Sequence, residues 1–143
     1  MIGIRLCTPA DASPVAALLG ELGYEVSAEA AVERLEQLSA TGADPTFLAC
    51  ENDQPLGLIG LHRCQMLQYA KPVMRITALV VDRRSRRRGI GRLLVAHALS
   101  WADRAGCQLV ELTSAFDRAV AHAFYRSLGF ESNSLRFRKS LDQ

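Results

Sequence analysis

The sequence predicts one mixed α/β domain over residues 1–143, an α+β mixed sheet in the order β-α-α-β-β-β-α-β-α-β. Two observations carry this. Strand-forming runs at Thr46–Cys50, Leu56–Leu67 and Val73–Val81 follow one another across short breaks, as antiparallel neighbours do. The third run then passes through a glycine- and arginine-rich loop into a helical pattern, Leu93–Ala105, and on to another strand, Leu109–Thr113. That second half reads as a parallel βαβ unit.

Each element has a local cause. Gly3 to Thr8 alternates as a first strand. Thr8-Pro9-Ala10-Asp11 is a helix-start signal, after which Val15, Ala16, Leu18, Leu19 and Leu22 recur at helical spacing until Gly23. Ala28–Leu38 is a second amphipathic helix with Ala31, Leu35 and Leu38 on one face, stopped at Thr41-Gly42. Asn52-Asp53 supplies a turn between strands, and Lys71-Pro72 breaks the next one. Gly106 closes the long helix. Ala119–Leu128 is a last helix with Gly129 as its stop, and Phe130–Ser140 reads as one or two final strands.

Composition narrows the function classes. Apolar residues make up 49% and charged residues 22% of 143, as in an ordinary globular domain. There is no apolar run of about 18 residues and no signal-peptide core, so neither a membrane span nor export is expected, and the expected location is cytoplasmic. Cys7, Cys50, Cys64 and Cys107 form no Cys-x-x-Cys pair and read as reduced, mostly buried thiols. His62, His97 and His122 show no metal-ligand spacing, so no metal is expected. A net charge of +2 is too small for a general nucleic-acid binder. The positive charge is concentrated at residues 83–92, which suits one anionic ligand.

That segment carries the chemistry. Arg86-Arg87-Arg88-Gly89-Ile90-Gly91 lies between a strand and a helix, with Arg83, Arg84 and Arg92 beside it. Glycine lets backbone N–H groups approach a ligand closely, and a helix N-terminus favours anions. Strand, loop and helix together suit a pyrophosphate. Taken alone, the motif also fits a glycine turn with solvated arginines.

A second motif lies about thirty residues on, at Ala121-His122-Ala123-Phe124-Tyr125-Arg126-Ser127-Leu128-Gly129-Phe130. With both in place, in order and on the right elements, the chain resembles the GCN5-related N-acetyltransferase (GNAT) superfamily. Within it, Gly57–His62, Leu79–Val81, Glu111–Ser114, Ala121–Tyr125 and Arg136–Leu141 are similar to the aminoalkylphosphonate N-acetyltransferases, whereas the N-terminal helices match poorly. The resemblance implies the acyl-CoA N-acyltransferase fold and acetyl-CoA as cosubstrate. The implied partner is a small-molecule amine, with no nucleic acid and no membrane, and with a homodimer as an option. It places CoA against Leu79, Val80, Val81, Arg86, Arg87, Arg88, Gly89, Ile90, Gly91, Arg92, Arg118, Ala121 and Phe124. Three departures stand out: Arg87 where many members have Gly, Arg118 in place of a common Asn, and Ala78 near a common catalytic Glu.

Amide formation sets three tasks. The amine must lose a proton, and at pKa ~10.4 only about one part in 2,500 is free base at pH 7, a handicap of ~4.6 kcal/mol. Glu111, expected on a central buried strand, is the candidate base, the alternative being a structural carboxylate paired with arginine. Glu21, Tyr24, Glu25, His62 and Thr77 are candidates to line the acceptor pocket, with solvated or packing roles as the alternative. The oxyanion needs a donor, which the resemblance puts at the backbone N–H of Leu79 or Val80. The thiolate needs a proton, and the resemblance assigns that to Tyr125, the alternative being an aromatic packed beside Phe124. His122 is read as a helix residue facing solvent or the adenine end of CoA, and His97 as structural. The leading reading is acetyl transfer to a small primary amine by direct attack in a ternary complex. Acetylation of a peptide or protein N-terminus, and a CoA-binding regulatory module without turnover, are the alternatives.

Overall fold

A computed structural model describes residues 1–115 and 118–142. Among these residues nine strands and α-helices follow in order: β1 (Ile2–Leu6), α1 (Ala12–Glu21), α2 (Ala28–Thr41), β2 (Thr46–Glu51), β3 (Gln54–Cys64), β4 (Val73–Val81), α3 (Ile90–Arg104), β5 (Leu109–Glu111) and α4 (Ala119–Ser127). The five strands form one sheet in sequence order, antiparallel from β1 to β4 and parallel between β4 and β5. The mixed α/β class and its two halves are therefore as expected. The chain divides into two compact units, Met1–Glu111 and Leu112–Gln143.

The local causes are visible. Thr8 and Asp11 form a capping box before α1, and Asp11 also takes two 2.9 Å hydrogen bonds from the Arg5 guanidinium on β1. This pairing holds the Asp11 carboxyl at about 2, well below its usual value. Ser27 caps α2 by accepting from the Ala30 N–H at 3.1 Å, and Gly42 at φ 71° ends the helix. Asn52 and Asp53 both take positive φ, 51° and 64°, which suits the tight hairpin between β2 and β3.

Helices pack on both faces of the sheet. Ala12, Val15 and Leu18 of α1 with Ala31 and Leu35 of α2 bury Leu48, Cys50, Leu58 and Val80. On α3, Ile90, Leu94, Val95, Ala98 and Ala102 are buried. His97 stands edge-on to Phe47 at 4.4 Å between centroids and stacks toward Trp101, with its Nε2 buried and unbonded; burial lowers its pKa. It is a packing residue, as expected. All four cysteines are free, and burial pushes the Cys7 thiol up to about 12.

Several boundaries differ from the sequence reading, among them β3, which ends at Cys64 and not Leu67, and three in the second half. α3 starts at Ile90, three residues before the periodic pattern, because Gly89 at φ 76° turns the chain into the helix. β5 stops at Glu111 and pairs only with Val73, Met74 and Arg75. The strands expected over Phe130–Ser140 are not formed, and no regular element follows α4 among the described residues. Residues 131–142 are all exposed, including Leu135 at 65% and Phe137 at 87%, so that apolar alternation has no packed face to commit it to a strand.

Candidate active site

The loop after β4 is built by backbone geometry and held from two sides. Asp82 starts a short 3₁₀ turn, Arg83–Ser85, by accepting from the Arg84 N–H. Glu21, the last residue of α1, accepts the Arg83 N–H at 2.7 Å. Arg88 forks onto Glu51 of β2, with contacts of 2.6 and 3.2 Å, and holds the Glu51 carboxyl below the ordinary carboxylate range. Arg87 at φ 67° and Gly89 at φ 76° both adopt the left-handed conformation, and α3 begins at once. The first N–H groups of a helix lack intrahelical acceptors, and glycine brings no side chain to cap them. A Cβ at Gly89 would meet nothing within 4 Å, so the space before the helix start is open. Arg83, Arg84, Arg86 and Arg92 are exposed around it.

Gly57 seats this helix start on the sheet. A Cβ there would come within 3.0 Å of the Val80 carbonyl, 3.2 Å of Leu94 and 3.3 Å of Ile90. Below the loop, β4 carries a bulge: Gly60 pairs Ala78 and Leu61 pairs Ile76, which leaves Thr77 as the extra residue. β4 also outruns β5, whose pairing ends at Arg75, so Ile76–Val81 have no partner on β5. Among the described residues, Leu79, Val80 and Val81 thus lie on a stretch of β4 that no strand pairs on that edge.

The expected acceptor residues scatter. Tyr24 is exposed and lines an open hollow of about 520 Å³ with Ala16, Gly20, Gly23, Glu25, Val26 and Ser27. Glu21 is committed to Arg83 instead. Thr77 is exposed at the bulge. His62 is oriented by Asp44, with Nδ1 and Oδ1 2.6 Å apart.

Glu111 requires a correction. It was expected to be central and buried. It ends a three-residue strand at the sheet's edge, is 38% exposed at its side chain, and pairs with Arg75 at 3.3 Å. This is the arginine-paired alternative.

In the second unit, Arg118 precedes α4, and Ala121, Phe124 and Tyr125 lie on it, all three half-buried. Tyr125 stands edge-on to Phe124 and Phe130, with centroids 5.4 and 5.9 Å away. Burial raises its pKa while the Arg118 charge opposes the shift, so the phenol keeps its proton at neutral pH. His122 Nε2 lies 2.7 Å from the Ala115 carbonyl oxygen, so it caps the turn into α4.

The sequence profile described as Acetyltransferase (GNAT) family matches residues 14–130, across both units. The chain belongs to the GNAT family. It is 32% identical to the aminoalkylphosphonate N-acetyltransferase of Salmonella typhimurium, over 96% of this chain and 90% of that one. A putative acetyltransferase from Agrobacterium tumefaciens superposes with a TM-score of 0.89 at 29% identity, covering 96% of this chain and 99% of that one. The aminoglycoside N-acetyltransferase AAC(6′)-Iy, solved in complex with CoA, shares the fold with a TM-score of 0.87 at 17% identity, covering 99% and 96%. This GNAT chain is thus an acyltransferase of the N-acetyltransferase type.

Sequence reasoning passed over three residues that support the loop and the strand below it. Glu51 and Gly57 fix the loop from neighbouring strands, and nothing local to them announces it. Arg75 did leave a signal, as the one charged residue in the strand Val73–Val81.

Proposed function

We propose that the chain moves the acetyl group of acetyl-CoA to the primary amine of a small molecule by direct attack in a ternary complex. The observation that carries this is the open N-terminus of α3 behind Gly89, ringed by exposed arginines at the end of a strand with a free edge. Pyrophosphate suits such a helix start, and the exposed Arg86 of the motif supplies a positive charge for it. The side chain of Arg88 is engaged by Glu51, so the Arg88–Gly91 segment contributes through its backbone. The aminoalkylphosphonate relative, and an aminoglycoside N(6′)-acetyltransferase of Acinetobacter haemolyticus that is 32% identical over half of each chain, support a small amine as acceptor.

The residues divide the work. The free edge of β4 near Leu79 and Val80 aligns the thioester and offers an N–H to the carbonyl oxygen as charge develops there. The amine nitrogen forms its bond to that carbon, and the C–S bond then breaks. Tyr125 donates its proton to the departing sulfur, and the proton shed by the new amide nitrogen restores the phenol. Water accepts the amine's first proton, because Glu111 is tied to Arg75. The described residues contain no group of three candidate metal ligands.

Thiol release from acetyl-CoA, screened against aminoalkylphosphonates, polyamines, amino acids, aminoglycosides and short peptides, tests the reading. Turnover with a small amine should fall about 10²-fold or more in Tyr125→Phe, with CoA affinity retained. Turnover confined to peptides would assign the N-terminal acetyltransferase alternative. Tight CoA binding with no turnover would leave a regulatory module.

A further inference from the structure

We propose that Arg75 is an anchor for an acidic group on the acceptor, so that the substrate is a short primary amine bearing a phosphonate or carboxylate. This rests on the acetyltransferase reading above and names its substrate class. The register of the sheet carries it. His62 on β3 pairs with Arg75 on β4, and Arg75 pairs with Glu111 on β5. Cross-strand partners share a face, so the three form one row across the sheet, and Asp44 closes its far end against His62. β3 runs without a bulge from Leu58 to His62, which places the row on the face that Leu58 shares with α1 and α2.

The position in the strand fits an acceptor. Arg75 and Glu111 are the last paired residues before β4 continues alone, so they form the floor of its free edge. Leu79 pairs with Ile59 and Arg75 with His62, three residues apart on β3 because of the bulge, so at ~3.3 Å each Leu79 stands about 10 Å above that floor, a span that an arginine side chain and a short linear amine cover together. The row is open enough to be reached: side-chain exposure is 41% at His62, 31% at Arg75 and 38% at Glu111.

The chemistry of the row selects an anion. Charged side chains on a half-covered sheet face cost desolvation, so an arginine here calls for a partner. Among the described residues its ion pair is with Glu111, NH1 to Oε1 at 3.3 Å. Guanidinium has five N–H donors in a planar fork that matches a phosphonate or carboxylate two bonds at a time. Glu111 holds the fork in place, and Asp44 holds the His62 ring beside it, so both act as positioning residues. A structural rung would need no discrimination between acidic and neutral amines.

Matched acceptors separate these cases: 2-aminoethylphosphonate and β-alanine against ethanolamine and propylamine, at wild type, Arg75→Met and Arg75→Lys. Melting temperature and CoA affinity serve as controls of folding. Wild type should favour the acidic amines. Arg75→Met should raise KM for them at least tenfold with kcat little changed and leave the neutral amines within twofold. Arg75→Lys, which keeps the charge and loses the fork, should lie between. Equal losses for both kinds of amine, or a wild type that prefers neutral ones, would overturn the anchor and leave the acetyltransferase reading standing. Failure of wild type to acetylate any amine would overturn both. Should Arg75→Met fail to fold, Arg75→Lys decides by the same KM comparison.

Discussion

The upper end of β4 and its middle are built on opposite terms. Above Val80 the strand runs into a segment whose useful atoms are backbone: Gly89 turns the chain, α3 starts unobstructed, and the Arg88 side chain is spent on Glu51. Below Thr77 the same strand works through side chains, with Arg75 set between His62 and Glu111. A backbone site depends on how closely elements pack and tolerates many side chains. A side-chain site depends on register. The donor of an acetyl group is constant and suits the first, whereas acceptors vary and suit the second.

The sharpest way to break the backbone end is to fill the contact that seats it. Gly57→Val would drive methyl groups into the Val80 carbonyl, 3.0 Å from a Cβ, and into Leu94 and Ile90. The carbonyl belongs to the sheet and cannot yield, so the α3 N-terminus must move. We expect a loss of about 1–3 kcal/mol by denaturant unfolding. CoA affinity should fall together with stability, although residue 57 lies outside the loop motif. Unchanged affinity would mean that the helix start does not set the donor site.

The second test acts on the support of α1, which brings Glu21 to Arg83. Asp11 sits at about 2 against an ordinary 3.8, chiefly because Arg5 donates two hydrogen bonds to it. The native state therefore binds fewer protons here than the unfolded chain. The pairing's stability is present in full above pH 3.8 and is lost as pH falls toward 2. Asp11→Asn should cost about 2 kcal/mol at neutral pH and flatten that acid limb in a melting series. Acceptor selectivity, set in the middle of β4, should not change.

How much of this is legible in the sequence follows from the same contrast. The loop is readable because its requirement is local: Arg86 to Gly91 between a strand and a helix says where backbone will meet an anion. The Arg75 row is not readable, because the partner of Arg75 depends on a bulge at Thr77 and on where β5 joins. Glu111 was misjudged for that reason. A run of four apolar-flanked residues looks central until the sheet shows it ending at an edge. The Phe130–Ser140 strands fail similarly, since alternation proposes a strand and only a packed partner makes one.

A finer test asks whether the arginines of the loop act as charges or as struts. Arg88→Ala removes the strut and a charge, whereas Glu51→Ala removes the strut and frees the charge. If Arg88 serves only to hold the loop against β2, both should weaken CoA binding by the same small factor, about two- to threefold, as expected for one exposed ion pair. Tighter binding in Glu51→Ala would show instead that the freed guanidinium reaches phosphate. The backbone description of this end would then need revision.

The smallest expected effect runs in the favourable direction. Arg87 holds φ 67° without being glycine, a conformation that costs an L-residue about 1 kcal/mol. Arg87→Gly relieves that strain and also gives the unfolded chain more freedom to lose, so the net gain should be below about 1 kcal/mol. CoA affinity should hold within twofold if the position contributes its N–H and not its guanidinium. A large loss of affinity with a retained or raised melting temperature would assign the Arg87 side chain to the ligand. The upper end of β4 would then recognise its donor partly as the middle recognises its acceptor, through a placed positive charge.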